Sequence, residues 1–333
     1  MVKLVDVANE AGVSAATVSR VLNDIPTVDP AMAKRVRAAA KKMGYRPNAV
    51  ARSLRKRQTQ IWQLVVSDIA NPFYTALARG VEDVAVTNGY QVVLGNSKDD
   101  VAREARYLEL AQQEQVAGVI IAPQRHNDPV TGLLASGIPV VAVNQTVEAP
   151  IDHVLADSLG GARQATRYLL QQGWERPACI TGPTTSETAQ HRAQGYREVM
   201  VEAGLNPVVE FRAYQPKAGA EGAAALLDSD TPPDAFFACN AMISLGVLKT
   251  LKDRALRAGR DVGLVAFDDA PWSELTEPSI TVIAQHPYEM GVQAARLLLE
   301  RIRSDDDRSP VRLTLQTDLI ERESGLRRRP RKR

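Results

Sequence analysis

Cysteine is scarce in this chain, with two among 333 residues, and long apolar runs are missing altogether. Nothing approaches the roughly 18 consecutive apolar residues that a membrane-spanning helix needs. Residues 1–20 carry Asp6, Glu10 and Arg20, which do not fit a secretory signal. Neither a membrane span nor an export signal is therefore expected, and the reading is cytoplasmic. Cys179 and Cys239 fall in apolar runs that read as strands, so buried thiols in a reducing compartment are expected rather than a disulfide. The histidines, His126, His153, His191 and His286, are scattered without metal-ligand spacing. Also missing are G-x-S-x-G, the lysine-bearing phosphate loop and G-x-G-x-x-G. Asp268 and Asp269 could pass for a catalytic carboxylate pair, yet adjacent side chains rarely converge on one substrate. No enzyme, metal or cofactor is expected.

What is present is an ordinary soluble composition, 44% hydrophobic and 24% charged, in a chain long enough for two or three domains. The net charge of +2 hides a polarity. Residues 1–60 hold 12 Lys/Arg against 4 Asp/Glu, residues 61–326 hold 23 against 35, and the tail "RRRPRKR" (327–333) adds 6 cations. A positive head on a negative body points to a polyanion partner for the head and a different partner for the body.

In the head, "LVDVANEAGVSAATVSRVLN" (4–23) predicts two short helices joined at a glycine. Val5, Val7, Ala8 and Ala11 supply the first apolar face, Gly12 ends that helix, and Val13 tucks under the turn. Ser14 is a good N-cap for the second helix, whose buried side is Val18, Val21 and Leu22. Ala15, Ala16, Ser19 and Arg20 are left facing outward. Small residues there let the helix backbone sink into a DNA major groove, where methyl groups can touch thymine methyls. A third helix starts at Asp29–Pro30 and closes at Gly44. The competing reading is a small three-helix bundle with a solvated basic face.

Next comes "YRPNAVARSLRKRQTQ" (45–60), which has the pattern of a helix barely two turns long between Pro47 and Gln58. Isolated helices under about 12 residues are marginal in water. By residue pattern alone it reads as a solvated linker, with Leu54 stranded among basic residues.

From residue 61 onward, β-rich runs alternate with helical segments. Candidate strands are 63–67, 91–96, 118–122, 139–144 and 153–157, then 178–182, 208–213, 235–240, 263–267 and 280–285. Continuous apolar strands separated by helices argue for parallel sheets covered on both faces, in two doubly wound subdomains with a cleft between them. Ligands of such sheets bind at the carboxyl ends of the strands. The polar residues just past those ends are Ser67, Asp68, Asn96, Asn144, Asn240, Asp268, Asp269 and Gln285. Singly each is ordinary loop or cap chemistry; together they suit a ligand rich in hydroxyls. Phe73 and Tyr74, at the start of the first body helix, offer rings to stack on a sugar or on a purine. Trp272 offers either a further stacking face or burial between subdomains.

"DVANEAGVSAATVSRVLN" followed by "MGYRPNAVARSL" resembles the LacI/GalR (lactose-repressor) family of bacterial transcription regulators, and the resemblance runs through the chain up to the tail. It implies an all-α helix-turn-helix head (1–46), a hinge helix and linker (47–60), and a periplasmic-binding-protein-like α/β body (61–326) for effector binding and dimerisation. By that resemblance Ala15 and Ala16 read bases, Arg20 supports them, and Ser14, Thr17, Ser19 and Asn23 hold phosphates. Asn48 would cap a hinge helix that folds only on operator DNA, Ala51 would allow its close pairing across a dimer, and Leu54 would wedge into the minor groove. Such a wedge makes a flexible central CG step the expected target, with Arg52, Arg55, Lys56 and Arg57 on phosphates. In the body the resemblance places Arg192, Asn240, Asp268 and Gln285 on effector-contacting positions. Ala241 stands where the family has an acidic residue, Asn144 and Gln145 where ribose-type binding proteins have an Asp-Arg pair, and Trp62 and Gln63 also depart from the family pattern.

The expectation is a cytoplasmic homodimer on a pseudo-palindromic operator, nucleoid-associated when bound, with a sugar or sugar derivative as inducer. A repressor that needs a purine corepressor shares every one of these features. A solute-binding protein would share the body but not the head. With no leucine heptad near the carboxyl end, a tetramer is not expected.

Overall fold

The computed structural model describes residues 2–22, 28–45, 59–124, 128–304 and 308–327. The chain divides into two units, Met1–Thr59 and Gln60–Arg333.

The described part of the first unit is three helices, α1 (Leu4–Ala11), α2 (Ala15–Leu22) and α3 (Pro30–Lys42). Gly12 takes φ 63°, a left-handed turn that ends α1 and that glycine adopts without a Cβ penalty. Ser14 Oγ accepts from Thr17 N (3.1 Å) and Asp29 Oδ1 from Met32 N (2.9 Å), capping α2 and α3. The core is Val7, Ala8, Ala11, Val18, Val21, Val36, Ala39 and Ala40. Val5 is 55% exposed and not part of it. Leu4, four residues before Ala8, packs there instead, because the apolar stripe follows i, i+4 and i+7.

The second unit runs β1 (Ile61–Val66), α4 (Pro72–Thr87), β2 (Gln91–Asn96), α5 (Val101–Gln113), β3 (Gly118–Ile121), α6 (Asp128–Ala135), β4 (Val140–Val143) and β5 (Asp152–Ala156). It continues through α7 (Ser158–Gln171), β6 (Pro177–Thr181), α8 (Glu187–Glu202), β7 (Val209–Phe211), α9 (Pro216–Leu227), β8 (Ala235–Ala238) and α10 (Ala241–Asp253). The last elements are β9 (Gly263–Phe267), β10 (Thr281–Ala284), α11 (Pro287–Arg303), β11 (Arg312–Leu315) and β12 (Asp318–Ile320). Two six-stranded sheets form, ordered β11-β5-β4-β3-β1-β2 and β12-β10-β9-β8-β6-β7, all parallel except for the β10–β12 pair.

The strands β11 and β12 are absent from the sequence reading, and they change the connectivity. The chain crosses between subdomains three times: at Asp157, at 285–286, and at 316–317. The amino-terminal subdomain is thus completed by α11 and β11 from the far end of the chain. α11 packs on α4, where Gly80 and Gly291 let the backbones touch: a Cβ on either would strike a carbonyl oxygen of the other helix, that of Tyr288 or of Leu77. Arg301 of α11 also grips Asp152 of β5 through paired hydrogen bonds of 2.7 and 2.8 Å.

Burial on both faces fails at the sheet edges, β2, β7, β11 and β12. β2 is an edge strand, and Val93 and Leu94 are 45% and 38% exposed. Trp62 and Gln63 are both buried in β1. Trp62 stacks on Tyr90 at 4.9 Å between ring centres, and Gly95 on the neighbouring strand leaves the space that the Gln63 amide fills. Cys179 and Cys239 are buried free thiols with sulfurs 3.3 Å apart.

Candidate functional site

At the carboxyl ends of the strands of both sheets lies a cavity of about 260 Å³. Ser67 and Asp68 follow β1, Asn144 follows β4, Asp268 follows β9 and Gln285 follows β10. With Phe73 and Tyr74 from α4, Arg192 from α8 and Asn240, nine of the twelve body residues singled out by sequence line this one cavity, and Asn96, Asp269 and Trp272 do not. The Asn96 Oδ1 meets Ile69 N at 3.4 Å. Asn144 and Asp268 hold φ of 67° and 75°, sparsely populated conformations for residues with a Cβ, of the kind that cluster at binding sites.

On the carboxy-terminal side, Arg192 is 3% exposed, lies 3.8 Å over the Phe267 ring, and donates to the Cys239 carbonyl at 2.6 Å. Its Nε has no partner among the described residues. Asp268 accepts from the Gln285 amide and from Ala241 N (3.4 Å). Burial pushes the Asp268 carboxyl up, and the Arg192 charge pulls it back. Asn240 uses its Oδ1 to cap α10 at Met242 N (2.7 Å) and Ile243 N (3.2 Å). Asp269 is held by Arg322 through bonds of 2.8 and 2.9 Å, so the adjacent carboxylates serve different partners. Trp272 packs on the core of its own subdomain and does not line the cavity.

On the amino-terminal side, Tyr74 Oη donates to Ser67 Oγ at 3.1 Å, and Gln124 Nε2 reaches the same Ser67 hydroxyl at 2.6 Å and Asp99 Oδ1 at 3.2 Å. The Phe73 and Tyr74 rings meet edge to face, 5.0 Å apart, with 5% and 7% exposure. Behind Gln124 sits Glu104, 3% exposed, with one oxygen 3.3 Å from Gln124 N and the other unpartnered among the described residues. Burial pushes its carboxyl up to about 7 against that hydrogen bond. Lining residues that the sequence reading missed include Asp99, Gln124, Gln145, Ser186, Thr188 and Tyr214.

A clasp joins the subdomains beside the cavity. The Glu187 carboxylate, on the first turn of α8, accepts from Thr146 N (2.6 Å) and Thr146 Oγ1 (2.8 Å), while Glu187 N donates to Gln145 Oε1 (2.9 Å).

In the head, Ala16 and Arg20 are exposed on α2 as the sequence reading has them, whereas Ala15 and Ser19 are half-buried. Ala15 packs at the edge of the head core, because the first turn of α2 leans on α1. Ser14 Oγ and Thr17 Oγ1 are hydrogen-bonded to each other at 2.9 Å. Asn23, Asn48, Ala51, Leu54 and Arg55 lie outside the described residues.

Residues 3–48 match the family of bacterial regulatory proteins called lacI, and residues 166–325 match the periplasmic binding protein-like domain. The HTH-type transcriptional regulator CelR of Thermobifida fusca is 36% identical over 331 residues, covering 96% of this chain and 97% of that protein. The ribose operon repressor of Escherichia coli (strain K12) is 34% identical over 332 residues, 98% of this chain and all of the other. Among solved structures, a CelR–cellobiose complex superposes with a TM-score of 0.74 at 33% identity over 97% of this chain and 100% of that one. The lac repressor dimer on operator with an anti-inducer superposes with 0.86 over 98% and 99%, at 24% identity, a likeness of fold. These named relatives are transcription regulators and not enzymes. With relatives of this identity spanning nearly its whole length, the chain belongs to the lacI family of bacterial regulatory proteins.

Proposed function

We propose that the protein is a dimeric repressor that holds a pseudo-palindromic operator and releases it when a sugar or sugar derivative fills the cavity between the two subdomains of its body. The observation that carries the effector half is convergence. Nine of the twelve residues chosen one by one from strand ends and family positions share one cavity, and most of them bring donors or acceptors. Arg192 and Asp268 bracket vicinal hydroxyls in charge-assisted hydrogen bonds. Phe73 and Tyr74 are buried edge to face, which favours packing on a small ring of C–H bonds over stacking on a purine.

The DNA half rests on the family and on the exposed Ala16 and Arg20. Ala15 and Ala16 read bases with Arg20 in support; Ser14, Thr17, Ser19 and Asn23 hold phosphates. In the hinge, Asn48 caps, Ala51 permits close pairing, Leu54 wedges at a central CG step and Arg55 meets phosphate. The exposed Val93 and Leu94 of edge strand β2, with Val86 nearby in the chain on α4, provide apolar surface suited to a second copy. The protein works in the cytoplasm, nucleoid-associated when on its operator. Domain limits follow as 1–46, 47–60, 61–326 and 327–333.

Effector in the cavity shifts the amino-terminal subdomains of the dimer and separates the paired hinges. The coupling is reciprocal, so operator weakens effector binding by the same factor. The test is a gel shift on an operator selected from random DNA, with and without a ligand found by thermal shift. Operator affinity should fall by roughly 10- to 100-fold on adding ligand. A ligand that tightens the complex would instead make the protein corepressor-dependent.

A further inference from the structure

We infer that the effector is a neutral, unphosphorylated monosaccharide or polyol, and that Asp68 and Asp99 reject its anionic relatives. The inference rests on the sugar reading above and narrows it. Among the described residues, three carboxylates and one cation line the cavity: Asp68, Asp99, Asp268 and Arg192. Arg192, the one cation among the described lining residues, donates to the Cys239 carbonyl and lies over the Phe267 ring, and its charge acts on Asp268. Asp68 and Asp99 have no ion-pair partner among the described residues. Asp68 accepts only from the nearby Ala70 N (3.1 Å), and Asp99, at the exposed rim, from the Gln124 amide. Their mutual repulsion is felt at Asp99, whose carboxyl is raised chiefly by desolvation and further by Asp68. A phosphate ester would bring about −1.5 to −2 charges against these two acids.

The backbone offers an anion no better welcome. Helix N-termini are the usual phosphate sites, and α4, α8 and α10 all begin at this cavity. Each is already capped by a side chain that itself lines the cavity: Asn71 on Phe73 N, Ser186 on Ala189 N, and Asn240 on Met242 N and Ile243 N. The amide groups a phosphate would use are taken.

Size gives the second limit. At about 260 Å³, the cavity lies at the small end of the range of about 300–1,000 Å³ usual for small-molecule sites. That size suits a pentose or hexose better than a disaccharide. Tyr214 helps set this limit: its ring lies against Gly182, where any Cβ would collide with it. The cavity is thus matched to a smaller ligand than the cellobiose in the CelR complex.

Isothermal titration of the full-length protein against D-glucose, D-galactose, D-ribose, D-xylose and sorbitol, each beside its phosphate ester, with cellobiose and hypoxanthine, tests this. One neutral probe should bind, its phosphate ester at least 100-fold more weakly, and the combined Asp68→Asn, Asp99→Asn variant should narrow that ratio at least tenfold. A phosphate ester or cellobiose binding more tightly than every neutral monosaccharide and polyol would overturn the inference while leaving the sugar reading intact. An unchanged ratio in the folded double variant would overturn the role of the two acids. Binding by hypoxanthine alone, or by no probe, would remove the sugar reading together with what rests on it.

Discussion

Replacing Glu187 by alanine isolates the clasp between subdomains. Its carboxylate holds Thr146 by two hydrogen bonds, of 2.6 and 2.8 Å, and the substitution deletes both while sparing the backbone bond from residue 187 to Gln145. Hydrogen bonds to a charged group contribute about 1.5–3 kcal/mol each when water is excluded. Both residues here are half-buried, so water competes, and about 2 kcal/mol for the pair is the reasonable figure. Because the bonds cross the cleft, they exist only in the closed form, and losing them shifts closure by roughly 30-fold. An effector that contacts both walls would have an apparent affinity that scales with the closed fraction. The Kd of the sugar identified by titration should therefore rise by up to about 30-fold where the free protein is mostly open, and less where it is mostly closed. Small-angle scattering of the ligand-free protein distinguishes the two cases, since a mostly closed wild type should expand on substitution. Thr146→Val keeps the backbone donor and should cost less, and the double variant should be non-additive. A Kd within twofold of wild type, with superimposable scattering curves, would refute a role for the clasp in closure.

Leu54→Ala should abolish specific operator affinity while leaving effector titration unchanged; normal affinity in a gel shift would sink the wedge. Asp268→Ala should repress yet fail to respond to effector, and normal induction would remove Asp268 from the site. Glu104→Gln tests a titration. The carboxyl is raised from 4.5 to about 7 by burial, so the folded state binds the extra proton between those values, and stability falls as pH rises through that window. The variant should lose that decline, up to about 3 kcal/mol between pH 4.5 and 7, with solvent access at the site reducing the figure. Urea unfolding at several pH values measures it, and identical slopes for both proteins would show that Glu104 titrates normally.

What the sequence made legible, and what it hid, follows from how each element is buried. Interior parallel strands are apolar on both faces, so runs such as Gly263–Phe267 stand out and their ends can be located. β11 and β12 alternate charged, polar and apolar residues and are only partly covered, and β11 pairs with His153–Ala156, more than 150 residues upstream. No local pattern announces such a partner. β2 shows the reverse error: its composition is that of a buried strand, and its place at the sheet edge, which composition does not encode, leaves Val93 and Leu94 uncovered.

Three of the missed cavity residues share one cause. The sequence reading took the polar residue one or two places past each strand, which reaches Ser67, Asn144, Asn240, Asp268 and Gln285. Asp99, Gln124 and Tyr214 each stand three places past their strands, which end at Asn96, Ile121 and Phe211. The intervening residues make the turn away from the sheet: Lys98 and Asp99 take φ of 54° and 57°, and Pro123 fixes the approach to Gln124. A longer turn carries its side chain farther over the strand ends, towards the rim rather than the floor. The residues nearest the sheets therefore carry the donors and acceptors that the strand-end rule anticipates. On the neutral-sugar inference, those one turn farther out, Asp99 and Tyr214 among them, set the charge and the size that choose which hydroxylated ligand enters.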